Sequence, residues 1–389
     1  HRAGVGNIIE MIPDEFRDSP SYQGTLSKNV VTVATLLKDA GYHTYMAGKW
    51  HLGHTPELLP SARGFERTVA LADSGADNWQ QKPYLPIYDQ ANWFADGQRY
   101  QLPDDFYSSK FLVDKTIEFI DSNADSSAPF FAYVPFQAVH IPVQAPQEFI
   151  DRYMGVYDQG WEALRQQRHK RAMTLGLVPQ DTPMIPMTTT EAWQGLDTDT
   201  KRYQAKRMAV YAAMVEAMDF HIGRLIQHLK DTGQYDNTIF IFASDNGSEG
   251  SGPSVESTPA DNLMLSLLDY TNDYDTLGLK GSYSTIGPNF ASAAAAPLSF
   301  YKFYVGEGGM RVPLIMAGNP LALPQADDII HAFSYATDIV PTILQLTGTP
   351  NHNGRYQGRI VEPIIGRSLL PLLYNCLLYT SPSPRDPSI

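Results

Sequence analysis

Apolar residues recur at helical spacing in three stretches of the chain, and each stretch predicts an amphipathic helix. The first covers residues 26–40, where Gly41 supplies the stop signal. The second begins at Ser108 and Ser109, which are predicted to cap it. The third and longest covers residues 208–233.

A short β-prone or apolar run follows each of these helices, at residues 42–47, 129–134 and 238–243. The second and third runs are continuously apolar, which is typical of strands buried on both faces of a sheet. Residues 312–316 are a further candidate strand. Helices that alternate with strands predict an α/β fold, with a mostly parallel or mixed central sheet and helices on both faces. In such sheets, sites form beyond the carboxyl ends of the strands.

Two long stretches, residues 64–105 and 244–296, are rich in Gly, Pro, Asn, Asp and Ser and are predicted as loops over that edge. Because large α/β enzymes often form one sheet-centred unit, one catalytic domain is predicted over residues 1–373. Residues 374–389 lack a helical or strand period, and residues 377–386 resemble a translated sequencing adapter. We interpret this tail as non-native, and a disordered native tail is the alternative.

The charge balance narrows the classes of function. The chain has 42 acidic and 29 basic residues and a formal net charge of −13, which argues against a general nucleic-acid binder. An anionic substrate would therefore need a local cluster of cations or a metal ion. The one cysteine, Cys376, allows neither a disulfide framework nor a cysteine zinc site in this chain. No membrane-spanning helix is predicted, because no run reaches about 18 apolar residues, and the compartment stays open.

Lys49 and His51 follow the first predicted strand, between Gly48 and Gly53. Residues two apart in an extended backbone point to the same side, so these two side chains are predicted to face one site. A cation beside an imidazole, with glycines that permit close backbone approach, suits the binding of an oxyanion. The alternative is a solvated lysine and a structural histidine.

Three further candidates follow later strands or lead into one. Asp245 and Asn246 come directly after residues 238–243 and offer the carboxylate and amide oxygens that Ca²⁺ prefers, with an ordinary turn as the alternative. His140, with an unperturbed pKa of about 6.5, can donate a proton to a leaving oxygen, and a hydrogen-bonded loop histidine is its alternative. Lys302 precedes a glycine-rich loop, but a lone lysine there would be assigned to the surface.

Together, these segments resemble the sulfatase family of the alkaline-phosphatase superfamily, and bacterial arylsulfatases in particular. Four motifs occur in the family's order: residues 41–53, the His-x-Pro at His140, residues 244–247, and Lys302 with residues 307–313. The resemblance covers residues 1 to about 373. It implies an alkaline-phosphatase-like fold whose smaller C-terminal sheet domain is largely missing from this chain.

The resemblance also implies cofactors and a maturation partner. The family's nucleophile is a formylglycine, which a formylglycine-generating enzyme makes from a Cys or Ser, and it is expected upstream of His1. The chain as given is therefore expected to be inactive. One Ca²⁺ ion is expected, with Asp245 and Asn246 among its ligands, and the pair of early aspartates that completes this site in the family has no match here.

For the remaining site residues, the resemblance implies roles in the hydrolysis of a small-molecule or glycan sulfate ester, with an aryl sulfate as the expected substrate. Lys49 and Lys302 would bind sulfate oxygens. His51 would hold the hydrated aldehyde, and His140 would assist the leaving group. Two alternatives stay open: a phosphate or phosphonate ester hydrolase of the same superfamily, and a catalytically inactive homologue that binds sulfate or glycans.

Overall fold

The computed structural model describes residues 2–188, 190–252, 258–321 and 329–374. The predicted tail, apart from residue 374, lies outside the described residues, and so does Cys376. Within the described ranges, no helix is both long and apolar enough to cross a membrane.

The largest sheet has five strands in the order β4-β3-β2-β1-β5. They are β1 (His43–Lys49), β2 (Arg67–Leu71), β3 (Trp93–Ala95), β4 (Gln98–Arg99) and β5 (Phe130–Tyr133). Strand β1 lies between β2 and β5 and is parallel to both, whereas β3 and β4 add to one edge in antiparallel pairs. The central sheet is therefore mixed, and the carboxyl ends of β1 and β5 meet at one edge.

Helices precede or follow most of these strands. Those in the described residues are α1 (Val33–Asp39), α2 (Ser108–Asp121), α3 (Gln147–Tyr153), α4 (Gly160–Thr174), α5 (Thr198–Asp231), α6 (Pro259–Leu267), α7 (Gly287–Ala295), α8 (Glu307–Met310), α9 (Ile339–Leu346) and α10 (Leu370–Leu373). Helix α1 precedes β1, and helix α2 precedes β5. This alternation confirms the α/β prediction.

Two helix starts differ from the prediction. Helix α1 is shorter than residues 26–40, because the hydroxyl of Thr32 accepts a hydrogen bond from the backbone three residues on and so caps the helix there. At the start of α2, Tyr107 and not Ser108 occupies the cap position. The Ser108 side chain is buried instead, where it accepts a hydrogen bond from Gln137 at 3.0 Å.

Side chains of β1 alternate between two buried clusters, as the pleat of a strand requires. Tyr45 packs in one cluster with Leu112 of α2 and Leu229 of α5. Met46 points to the opposite face and packs in a second cluster with Ala34 of α1. Helices therefore cover both faces of the sheet at β1, as the sequence predicted.

Among the described residues, two further sheets have two strands each and share no hydrogen bonds with the first sheet. One is the antiparallel pair of β6 (Phe240–Ala243) and β7 (Leu314–Ala317), and the other is the antiparallel pair of β8 (Arg355–Tyr356) and β9 (Arg359–Ile360).

The prediction that β5 and β6 are buried on both faces is wrong, because Tyr133 is 46% exposed and Phe242 is 39% exposed. Each of these two strands has one strand neighbour within the described part of the chain, and both border a cleft of about 4,640 Å³.

The two stretches predicted as loops contain regular structure. Residues 64–105 include β2, β3 and β4, and residues 244–296 include α6 and α7. Their many turn residues flank elements that are too short to stand out in the hydrophobic pattern. Apart from a short helical turn at Tyr274–Thr276, the other described residues of both stretches are irregular, as predicted.

Candidate active site

Lys49 is the last residue of β1, and His51 lies just beyond it. Gly48 has a φ of 144°, and a Cβ atom there would lie 2.0 Å from the carbonyl oxygen of Pro135, so only glycine allows this approach. His51 has a φ of 54°, so the backbone is not extended at this point. The extended backbone that was predicted from Lys49 to His51 is therefore wrong at His51, although both residues line the same cleft.

The imidazole of His51 is held by a carboxylate that the sequence analysis missed. Nε2 of His51 lies 2.8 Å from Oε2 of Glu10, and the hydroxyl of Tyr88 donates to the other carboxylate oxygen at 2.7 Å. Burial by itself raises the pKa of Glu10, but the hydrogen bonds from His51 and Tyr88 outweigh burial and lower the pKa to about 2. Glu10 is therefore ionised at neutral pH.

His140 lies beyond the carboxyl end of β5, and its surroundings keep it neutral. Its Nδ1 lies 2.8 Å from the backbone oxygen of Ile141, which can only accept, so Nδ1 carries the hydrogen atom. The Tyr84 ring meets the imidazole edge-on, with 5.6 Å between ring centroids. Burial, together with the charges of Lys49 and Lys302, lowers the pKa of His140 to about 3. Proton donation by His140 thus needs a change in its surroundings, such as a bound anion.

Lys302 is part of a buried ion pair and is not the surface lysine that its sequence context allowed. Its Nζ lies 2.5 Å from Oε2 of Glu249, which is 7% exposed. The other oxygen of Glu249 accepts hydrogen bonds from the backbone and hydroxyl of Ser251. Burial raises the pKa of Glu249, but Lys302 and Ser251 outweigh burial and lower the pKa. The backbone of Lys302 also donates to the carbonyl of Ser248 at 3.0 Å, which joins the two loops.

Lys49 makes no ion pair with the residues that the structure describes. Burial and the charge of Lys302 lower its pKa to about 8. The carboxylates of Asp245, Glu10 and Glu249 act in the opposite direction and limit the shift. At neutral pH, Lys49 is therefore a cation whose charge no contacting carboxylate balances.

Asp245 and Asn246 follow β6 in a turn that packs against the loop after Lys302. A Cβ atom on Gly247 would lie 1.8 Å from the carbonyl oxygen of Gly308, so glycine is required where these loops meet. A carboxylate and an amide oxygen fit Ca²⁺ in kind, but they are two of the roughly six to eight oxygen ligands that this ion needs. Across the described ranges, no group of three or more His, Cys, Asp or Glu side chains could hold a metal ion.

All the residues predicted for the site border one large cleft, which extends along much of the described chain: Lys49, His51, His140, Asp245, Asn246 and Lys302. Their charges also act on one another, because the two lysines lower the pKa of His140 and Asp245 raises that of Lys49. Two cations close to a neutral imidazole suit the binding of an anionic ester. Glu10 and Glu249 are not among the residues predicted from the sequence, and only Glu249 follows a predicted strand.

Solved structures with a similar backbone identify the fold. Ps i-CgsB, in complex with k-i-k-neocarrahexaose, has a TM-score of 0.55 and 21% identity over 90% of this chain and 59% of its own. A Bacteroides fragilis protein described as a sulfatase has a TM-score of 0.53 and 19% identity over 93% of this chain and 63% of its own. At these identities the likeness shows the fold alone, which is the alkaline-phosphatase-like α/β fold.

Sequence comparisons then show the family. The family model for sulfatases matches residues 7–349. The chain is 38% identical over 375 residues to an uncharacterised sulfatase of Schizosaccharomyces pombe, and this alignment covers 93% of the chain and 66% of that protein. It is 35% identical over 372 residues to the arylsulfatase of Klebsiella aerogenes, and this alignment covers 95% of the chain and 78% of that enzyme. The chain belongs to the sulfatase family, whose members hydrolyse sulfate esters and generally depend on a metal ion.

Proposed function

We propose that the protein containing this chain hydrolyses sulfate monoesters, with aryl sulfates as substrates, to a phenol or alcohol and sulfate. The observation that most supports this function is that Lys49 and Lys302 both lie close enough to His140 for their charges to act on its imidazole. A sulfate monoester carries one negative charge, and its leaving oxygen gains negative charge as the S–O bond breaks. Two cations and an imidazole match that change in charge.

In this proposal, the two lysines bind the sulfate oxygens and thereby prepare His140. Burial and, after it, the charges of the two lysines lower the pKa of His140. An anion bound between Lys49 and Lys302 would offset the effect of the lysines and so favour proton uptake by the imidazole while substrate is bound. His140 would then donate this proton to the leaving oxygen through Nε2, because Nδ1 is occupied by the carbonyl of Ile141.

The nucleophile belongs to a segment before residue 1 in this proposal. It is a formylglycine that a formylglycine-generating enzyme makes from a Cys or Ser, and His51 would hold its hydroxyl. His51 suits this task because Glu10 fixes its ring, and both His51 and Lys49 line the same cleft.

Asp245 and Asn246 would supply two ligands to one Ca²⁺ ion, and the other ligands would come from outside the described residues or from the substrate. When bound, such an ion withdraws negative charge from the sulfate. The type of oxygen atoms in this turn supports the assignment, and so does its packing beside the Lys302 loop.

Relatives point to two kinds of sulfate ester. The name of the Klebsiella aerogenes relative, an arylsulfatase, supports an aryl sulfate. Another protein with this fold was solved with its substrate D-glucosamine-2-N,6-O-disulfate, at a TM-score of 0.50 and 22% identity over 90% of this chain. Sulfated sugars are therefore the second class of substrate to test.

The test is an assay of the full-length protein, coexpressed with a formylglycine-generating enzyme, on an aryl sulfate and on the matched phosphate and phosphonate esters. We expect sulfate release that a Ca²⁺ chelator abolishes and added Ca²⁺ restores. Faster hydrolysis of the phosphate or phosphonate would replace the proposed substrate class. No turnover of any ester, with formylglycine verified by mass spectrometry, would instead indicate a binding protein.

A further inference from the structure

Glu10 links three segments that are distant in the sequence. It lies in the short helical turn Ile9–Met11, 41 residues before His51. Its two carboxylate oxygens bond in different directions, one to Nε2 of His51 at 2.8 Å and one to the hydroxyl of Tyr88 at 2.7 Å. The side chains of Glu10 and His51 are 10% and 11% exposed, so the contact is largely shielded from water.

This geometry determines how His51 carries its hydrogen atom. Glu10 is ionised, because its pKa is about 2, and an ionised carboxylate can only accept hydrogen bonds. Nε2 of His51 must therefore donate, which leaves Nδ1 as the acceptor in the neutral ring. His140 has the opposite arrangement, since its Nδ1 donates to the carbonyl of Ile141. One histidine is thus paired with a full negative charge and the other with a neutral dipole.

Neighbouring groups fix the surroundings of Glu10. Lys49, on β1, is close enough for Glu10 to raise its pKa. On the other side, the ring of His54 packs against Tyr88 with 5.6 Å between centroids, and Nε2 of His54 lies 3.0 Å from the buried carboxylate of Asp73. Tyr88 is therefore held by both its hydroxyl and its ring, and it fixes Glu10 in turn.

We propose that Glu10 is a positioning residue for His51: its carboxylate fixes the orientation of the ring and its tautomer. Tyr88 supports this task by holding the second carboxylate oxygen. The proposal rests on the proposed function in so far as His51 acts in sulfate ester hydrolysis. A purely structural role would be to tie residues 2–29 to β1.

The first experiment tests the contact in solution and does not depend on activity. In the full-length protein labelled with ¹⁵N-histidine, the Nε2 proton of His51 should give a strongly downfield resonance that exchanges slowly with water, because it is bonded to a shielded carboxylate. The resonance should disappear in Glu10→Ala and stay in Glu15→Gln, which removes an exposed carboxylate from the same segment. Absence of the resonance in the unaltered protein overturns the proposal.

The second experiment separates positioning from structure. Glu10→Gln keeps the shape of the side chain but removes its charge, so kcat on the aryl sulfate should fall about 10- to 100-fold with little change in KM, as for other carboxylates that orient a histidine. Tyr88→Phe should give a smaller loss of the same kind. Glu15→Gln serves as the matched control and should leave kcat unchanged.

A third readout is the midpoint of thermal unfolding. If Glu10→Gln lowers the midpoint but keeps kcat at a permissive temperature, the role of Glu10 is structural and the proposal is wrong. Acetate that restores part of kcat to Glu10→Ala supports positioning, because a free carboxylate can replace the missing one. If the unaltered enzyme hydrolyses no sulfate ester, the proposed function fails, while the His51 resonance still decides whether Glu10 holds this ring.

Discussion

Lys49 and Lys302 bring the same charge to the same cleft, but their surroundings differ. Lys49 is the last residue of β1, next to Gly48, which allows close approach to the backbone of Pro135. Lys49 makes no ion pair in the described part of the chain. Burial and the charge of Lys302 lower its pKa to about 8. Lys302 lies in a loop, and its charge is balanced at 2.5 Å by the buried carboxylate of Glu249.

This difference shows how a site can hold two cations close together. Two unbalanced lysines would repel each other strongly in a poorly solvated cleft. Glu249 reduces that repulsion at Lys302, so Lys49 can remain charged at neutral pH. As a result, Lys49 offers its full charge to an anion, whereas Lys302 must share its charge between the anion and Glu249.

The largest expected effect comes from removing either charge. In the full-length enzyme, Lys49→Met and Lys302→Met should each lower kcat/KM for an aryl sulfate by about 10²- to 10³-fold, because each deletes a cation that faces the developing charge. The loss should be larger for Lys49, whose charge is not shared. Steady-state kinetics measures both, and an unchanged kcat/KM for either variant would remove that lysine from the site.

A second effect should separate the two lysines by stability. Lys302→Met leaves Glu249 buried without its partner, so the free energy of unfolding should fall by about 3 kcal/mol. Adding Glu249→Gln should recover most of this loss, because the unpaired charge is gone. Lys49→Met removes an unbalanced charge and should cost little. Urea unfolding measures all three variants, and an equal loss for both lysines would contradict the comparison.

Lys49 and Asp245 could be found from the sequence because each lies at or directly after the end of a strand that the local pattern predicts. The apolar runs before Lys49 and Asp245 and the glycines around them mark the carboxyl ends of strands, and the family resemblance added Lys302. The α/β class followed from the same alternation. Local pattern is sufficient here because a strand and its following residue are neighbours in the chain.

The partners of these residues could not be found in the same way. Glu10 meets His51 only through the tertiary fold, and its own surroundings show no helical or strand period. Glu249 lies in a predicted loop, where the pattern does not indicate which carboxylate turns inward. Burial of β5 and β6 was also mispredicted, because an apolar run indicates a strand but not how many neighbours cover it.

The pH dependence of activity provides a third test of the comparison. Lys49 loses its proton as the pH rises through about 8, so kcat/KM should fall above that pH, by about tenfold per pH unit for one ionisation. In Lys49→Arg the charge persists, and the fall near pH 8 should disappear even if activity is lower overall. A fall at the same pH in Lys49→Arg would assign the ionisation to another group.

The smallest expected effect is a shift of this alkaline fall by Glu249. The carboxylate of Glu249 raises the pKa of Lys49, so removing its charge in Glu249→Gln should lower that pKa and move the fall in kcat/KM to lower pH. The matched control is Glu307→Gln, which removes an exposed carboxylate from the start of α8 and should leave the profile in place.

The direction of this shift distinguishes two roles for Glu249. If the only effect of Glu249 were to pair with Lys302, its loss would make that cation available to the substrate. The value of kcat/KM would then rise at all pH values, and the pH at which it decreases would not change. If Glu249 also offsets the repulsion between the two lysines, its loss leaves the charge of Lys302 unpaired near Lys49. The pKa of Lys49 then drops, and the decrease in kcat/KM moves to lower pH. We expect the second outcome, because Lys302 is the charge that most lowers the pKa of Lys49 after burial.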